Sequence, residues 1–356
     1  MPSLKCSLNC PHCYLSKQQR QSDEIMDISK LAETCHKIAD YYQSKNVLQK
    51  TIICYWYGGE PTEMGIGYFT EAADTINSIF TESKGYQVKH TILTALINLK
   101  TEWFEVFRHY GQGQFQSSFD GLMRGKGYLK KWEKQARRAI DYDLELSTIS
   151  VVNQELIKQG PTTVLDYLSD IGITETSWLP FMWNQQNDGD PYQKYAPSMH
   201  QYVDFMITLS EHYFQRQNKQ ENVPEIGQMR FILGQKNTSL LGNIAGQTLF
   251  LLPDGEFVLP DYRQGFQEFM QPFGNILQQS FETILHSPAR RSYLRKQIMR
   301  NNNSDCLNCD HSDKCLMEFW KNNRQNDDCF GAKRYVEWLL KLNINTDKTW
   351  QHPMLY

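Results

Sequence analysis

The sequence lacks any run of about 18 consecutive apolar residues, the length that a membrane-spanning helix requires. It has little net charge. Its 37 lysines and arginines against 40 aspartates and glutamates leave −3, which excludes the strongly basic surface of a nucleic-acid binder or of a patch drawn to anionic membrane. The first residues do not follow the basic, apolar, small-residue order of a secretory signal. There is no internal repeat, and Asn301-Asn302-Asn303 is a turn or loop, too short to be a low-complexity tract. A soluble, cytoplasmic protein without membrane or nucleic-acid partners is expected. What is present is apolar and aromatic material for a sizeable core: 40% and 13% of 356 residues. That length suits one large α/β domain plus a smaller one.

Cysteine is absent between Cys54 and Cys306, and this gap organises the chain. Cys6, Cys10 and Cys13 cluster at one end, and Cys306, Cys309, Cys315 and Cys329 at the other. In a reducing compartment two such clusters read as two metal sites and not as a disulfide framework. Cys35 falls on one helical stripe with Leu31, Ala32, Ile38 and Ala39, and Cys54 sits in an apolar run. Both are small core hydrophobes in this reading.

Between the clusters, helix and strand patterns alternate. Apolar period predicts helices over 27–44, 68–82, 100–109, 128–141, 155–171 and 198–217, with strands at 51–57, 86–95, 114–119, 144–152 and 174–182. Counted from the cysteine loop these make six βα units, hence a parallel sheet in a barrel or a doubly wound arrangement. Reactive groups then gather at the carboxyl ends of the strands. Only five residues precede Cys6, so either the first strand is very short or upstream residues are missing. Residues 183–197 are a long polar loop, placed either at the substrate or on plain surface. Residues 217–228 are read as a polar link between a domain at 1–220 and another at 221–356.

The first cluster reads C-x3-C-x2-C followed by Tyr14. A 4Fe–4S cluster ordinarily takes four thiolates, so three from one loop leave one iron open. A zinc site completed by His12 or a distant cysteine is the alternative. The stretch closely resembles the signature of the radical S-adenosylmethionine (SAM) superfamily. There the open iron chelates SAM, whose reductive cleavage yields a 5′-deoxyadenosyl radical. The second element is Gly58-Gly59-Glu60-Pro61 after a strand, where glycines let backbone approach a ligand. It matches the family's G-G-E-P segment, which implies a grip on the methionyl amino group with Glu60 and Pro61 fixing the loop. The resemblance narrows the fold to a partial (β/α)6 TIM-like barrel with a smaller C-terminal auxiliary-cluster domain. It further implies that Ser118, in S-F-D-G, reaches the SAM carboxylate or is part of a capped turn. Asn153 contacts the ribose or is an ordinary cap, and Tyr14 packs on adenine or in the core. Ala95 stands where the family has asparagine, so that contact is lost.

At the other end Cys306, Cys309, Cys315 and Cys329 supply four thiolates, enough for a fully ligated cluster, though C-x2-C also serves zinc. A hairpin over 248–260 with a Pro-Asp-Gly turn, then Gly274-Asn275-Ile276, an amphipathic helix over 281–294 and C-x2-C-x5-C resemble a SPASM domain. Pro260 and Phe319 stand where complete SPASM domains place further cysteines, so the resemblance implies one auxiliary cluster instead of two. Asp261 occupies the place of a base aspartate in anaerobic sulfatase-maturating enzymes. It is a catalytic base or a solvated turn residue.

The resemblance thus implies SAM, a SAM-binding 4Fe–4S cluster, one auxiliary 4Fe–4S cluster, and a reductant such as flavodoxin or ferredoxin. The leading expectation is a maturase crosslinking side chains of a ribosomally synthesised precursor peptide, whose leader is recognised by the barrel rim or by another protein. The alternatives are formylglycine formation in a sulfatase, epimerase or dehydrogenase action on a small molecule, and a zinc-binding interaction protein.

Overall fold

Parallel strands covered by helices bury their outer face, so their apolar residues recur at every second position and pack outward. A computed structural model describes residues 1–342 apart from 48, 98, 185, 235–247, 260–270 and 317–325. In it the strands are β1 (Lys50–Trp56), β2 (Tyr86–Thr94), β3 (Gln114–Ser118), β4 (Glu145–Val152) and β5 (Glu175–Pro180). A two-residue β6 (Glu225–Ile226) completes a six-stranded parallel sheet in the order β1-β2-β3-β4-β5-β6. A doubly wound sheet would reverse its order part-way; an unbroken sequence makes a partial barrel.

The strand count is the expected six, with one member exchanged. Among the described residues no strand precedes the cysteines: Ser3 makes one isolated antiparallel bridge to Ile25. The sixth strand lies at 225–226, inside the supposed polar link and beyond the expected boundary at 220. Two residues carry no periodicity to read.

The helix Ile28–Ser44 starts after Asp27 as expected. The stretch expected as one helix over 155–171 is two, Gln154–Gln159 and Pro161–Ile171, because Gly160 at φ 87° ends the first and Pro161 opens the second. The 281–294 helix is likewise divided into Phe281–Leu285 and Pro288–Ile298, ahead of Pro288. Trp132, fully buried against Phe119 at 4.9 Å, donates from Nε1 to Ser117 Oγ at 2.9 Å. Burial of one such side chain contributes roughly 2–3 kcal/mol.

The other face of the sheet is open. On β1, Trp56 packs against Phe69 toward the helices, while Ile53 and Tyr55 on the alternate face are 47% and 38% exposed. The inner surface of the partial barrel is therefore reachable from solvent.

Beyond the barrel, β7 (Phe250–Leu251), β8 (Glu256–Leu259) and β9 (Gln271–Asn275) form an antiparallel sheet. The Pro253-Asp254-Gly255 turn is the expected one: Gly255 has φ 87°, and Asp254 Oδ1 accepts from Glu256 N at 3.0 Å. This sheet buries Phe257, Phe273 and Ile276 with Phe281 and Ile284, and leans on the helix Ile28–Ser44, where Lys37 Nζ donates to Ile276 O at 2.6 Å. The helix Lys333–Lys341 returns to the barrel, burying Tyr335, whose hydroxyl meets Ser210 Oγ at 2.8 Å. Among the described residues no helix is long and apolar enough to cross a membrane. Pro260, Asp261 and Phe319 lie outside the described residues.

Candidate iron–sulfur and SAM site

The Cys6, Cys10 and Cys13 loop crosses the carboxyl ends of the strands. After β1, Glu60 N donates to Lys5 O at 2.8 Å, Ser7 N to Glu63 Oε1 at 2.7 Å, and the Tyr14 hydroxyl to Gly58 O at 3.3 Å. After β5, Asn184 Nδ2 donates to His12 O at 3.3 Å, so the polar loop does reach the cysteines. The hairpin closes over them from the other side, with Val258 packed against Leu4 and Leu15, and Phe250 and Leu252 against the same cluster as Cys13 and Tyr14.

Both glycines are fixed by the incoming chain. A Cβ on Gly59 would stand 2.1 Å from Lys5 O, and one on Gly58, at φ 140°, 2.8 Å from Ser3 O. Glu60 is buried and turned inward. Its Oε1 accepts from Thr62 N (3.1 Å), Thr62 Oγ1 (2.6 Å) and Thr94 Oγ1 (2.7 Å), and its Oε2 from Ala95 N (2.7 Å). Burial raises its carboxyl above the ordinary value against the pull of those donors. Pro61, buried, opens the 3-10 turn Pro61–Met64 that Glu60 caps. Ser118 ends β3 half-buried. Asn153, fully buried, caps the helix Gln154–Gln159 and donates from Nδ2 to Asp120 O and Val151 O, so its described hydrogen bonds are those of a cap.

Sequence reasoning missed a buried ionic group beneath the loop. Asp120 is 1% exposed, and its Oδ2 accepts from Arg124 Nε at 2.6 Å while Oδ1 accepts from Val151 N at 2.9 Å. Arg124 Nη1 donates to the Tyr128 hydroxyl at 2.8 Å, which donates to Ala95 O at 3.0 Å. His12 Nε2 lies 3.8 Å from Asp120 Oδ2, and its buried Nδ1 has no hydrogen-bond partner among the described residues. Burial holds the His12 imidazole down at about 4, with Asp120 opposing, so it is neutral near pH 7. The signal was available: an aspartate and an arginine four apart can pair on one helical turn.

Burial pushes the Cys6 thiol up to about 12 and Cys10 up to about 11, with Arg124 pulling Cys10 back. Such thiols are poor anions alone, and a bound metal removes their protons. Among the C-terminal four, Cys306, Cys309 and Cys329 lie near enough to act on one another. Cys306, at about 11 through burial and the neighbouring Cys329 and Cys309, belongs to the short helix Ser304–Leu307. Arg300 donates to Cys306 O and, at 3.1 Å, to Leu307 O, and Cys329 Sγ accepts from Lys333 N at 3.3 Å. A Cβ on Gly331 would stand 2.4 Å from Cys315 Sγ. Among the described residues no three such groups close on a single-ion site. Three thiolates in the first loop and four in the second match in number a 4Fe–4S cluster with one open iron and a fully ligated one. The donor sets fit two clusters.

Residues 243–310 match the family SPASM, described as an iron–sulfur cluster-binding domain. The fold is similar over almost its whole length to anSMEcpe with bound AdoMet (TM-score 0.71, 14% identity, 96% of this chain and 95% of that one). The structure of anSMEcpe with bound AdoMet and the Kp18Cys peptide is similar to the same degree (TM-score 0.70, 15% identity, 96% and 98%). Streptococcus suis SuiB bound to the precursor peptide SuiA is a further match (TM-score 0.59, 15% identity, 88% and 69%). The C-x3-C-x2-C loop thus lies at the strand ends of a partial barrel that shares its fold with anSMEcpe and SuiB, and the segment behind it matches an iron–sulfur cluster-binding domain.

Proposed function

We propose that this chain is a radical SAM enzyme that modifies side chains of a ribosomally synthesised precursor peptide, forming a carbon–carbon or ether crosslink, in the cytoplasm and with flavodoxin or ferredoxin as reductant. The observation that carries the peptide reading is the open inner face of β1. There exposed Ile53 and Tyr55 lead toward Tyr57 and Gly58 beside the cysteine loop, a surface suited to an extended chain more than to an enclosed small molecule. The peptide complexes of anSMEcpe and SuiB support it.

Cys6, Cys10 and Cys13 would hold the first cluster, and Cys306, Cys309, Cys315 and Cys329 the second. When bound, these clusters and SAM supply a radical able to take hydrogen from an unactivated carbon and an acceptor for the electron released afterwards. In this reading Tyr14, Gly58, Gly59, Glu60, Pro61, Ser118 and Asn153 frame the SAM site. Glu60 and Asn153 do so through the loops they brace, and Ser118 through its hydroxyl. The β7–β8 hairpin shields the cysteine loop from water, and Asp261 would be the base that takes the substrate's proton.

A second reading, oxidation of a sulfatase cysteine or serine to formylglycine, is favoured by the near-complete mutual coverage with anSMEcpe. Co-expression with a precursor peptide encoded beside the enzyme, followed by mass spectrometry, tests the first reading. Loss of two hydrogens per site with a new fragment-resistant link is expected. An unmodified precursor together with an oxidised sulfatase peptide would favour the second.

A further inference from the structure

The Asp120–Arg124 group has no part in the roles given above. It is walled in: the Arg124 side chain is 6% exposed and that of Asp120 is 1%. A buried ion pair is weak evidence for stability, since apolar residues of the same volume often serve as well or better. Each member is nevertheless held from several sides. Val151 N fixes one carboxylate oxygen and Arg124 the other, while Tyr128 ties the guanidinium to Ala95, the residue whose N–H binds Glu60. His12, between Cys10 and Cys13, stands 3.8 Å from the same carboxylate oxygen. Two fixed opposite charges therefore sit under the cysteine loop, cut off from the solvent that would screen them.

We propose that the buried Asp120–Arg124 pair sets the reduction potential of the cluster held by Cys6, Cys10 and Cys13, acting as a pair of positioning charges and not as ligands. Asp120 Oδ2, which Arg124 Nε holds at 2.6 Å, lies 3.8 Å from the ring of His12, the residue between Cys10 and Cys13, so both charges stand against the segment that carries these two thiols. The reaction concerned is the uptake of one electron by the oxidised cluster from a low-potential donor, which adds one negative charge to the site. A positive neighbour favours that charge and a negative one opposes it. The inference rests on the reading that this loop holds a cluster.

Reduction of the anaerobically reconstituted full chain with dithionite, followed by electron paramagnetic resonance at set potentials, tests it. The signal to follow is the one whose shape changes when SAM is added. Arg124→Gln leaves Asp120 uncompensated and should make that cluster harder to reduce. Asp120→Asn leaves Arg124 uncompensated and should make it easier. Each shift should be at least tenfold in the equilibrium constant, about 59 mV for one electron. Arg124→Lys, which keeps the charge, should shift it less than Arg124→Gln. A structural role alone would move both single variants in the same direction or only lower their iron content; either result overturns the proposal. If Arg124→Gln does not load a cluster, Asp120→Asn decides: an unchanged or lowered potential overturns it. Failure of the wild-type chain to show any SAM-responsive signal would instead overturn the cluster reading itself.

Discussion

Gly59 lies so close to Lys5 that a Cβ there would stand 2.1 Å from the Lys5 carbonyl oxygen, and 2.4 Å from that of Leu4. The contact is backbone to backbone, so no side chain can move aside. Gly59→Ala should push the incoming chain away from β1 and displace Cys6. Destabilisation of about 2–4 kcal/mol is expected by denaturant unfolding, with iron content after reconstitution falling toward that of the C-terminal cluster alone.

Glu60→Gln should cost about 1–3 kcal/mol, because its amide nitrogen must face a backbone donor whichever way it turns, Thr62 N or Ala95 N. Thermal unfolding of the apo chain measures this apart from any cofactor. An unchanged midpoint would mean that Glu60 does not brace the loop.

His90 provides a pH dependence. Its Nδ1 accepts from Trp56 Nε1 at 3.0 Å, so in the neutral ring Nε2 carries the proton and faces Asn77 Oδ1 at 3.0 Å. Burial lowers the imidazole from 6.5 to about 4, with Asp74 opposing. The folded state therefore binds fewer protons than the unfolded one between these values. The His90 contribution, on the order of 3 kcal/mol, is present above pH 6.5 and lost as pH falls toward 4. Unfolding free energies at pH 7 and pH 5 should differ less in His90→Gln than in the wild type.

Asp327 joins the C-terminal cysteine segment to the barrel by capping the helix Met199–Asn218: its oxygens accept from Met199 N at 3.0 Å and His200 N at 2.7 Å. Asp327→Ala should cost about 1 kcal/mol in denaturant unfolding and speed loss of the auxiliary iron to a chelator. Equal iron loss in variant and wild type would separate the cap from the cluster.

Much of this was legible in the sequence because its signals are local. The apolar stripe of residues 28–44, the run ending at Gly58 and the Pro253-Asp254-Gly255 turn each state their structure within a few neighbours. The break at Gly160-Pro161 is equally local, although the apolar period runs across it. Residues 225–226 form a strand only because β5 offers them an edge, and nothing in two residues announces that. The roles of Arg124, Tyr128 and Asn184 depend on which strand ends meet above the sheet. Gly59 shows the same limit: the motif foretold a close approach, while the structure names Lys5 as the group approaching.

Iron and acid-labile sulfide per chain after anaerobic reconstitution test the central claim most directly. About eight irons and as many sulfides are expected, for two 4Fe–4S clusters. Cys10→Ala should retain about half of each and lose SAM cleavage entirely. Zinc without sulfide in the wild type, or undiminished SAM cleavage by Cys10→Ala, would contradict the assignment.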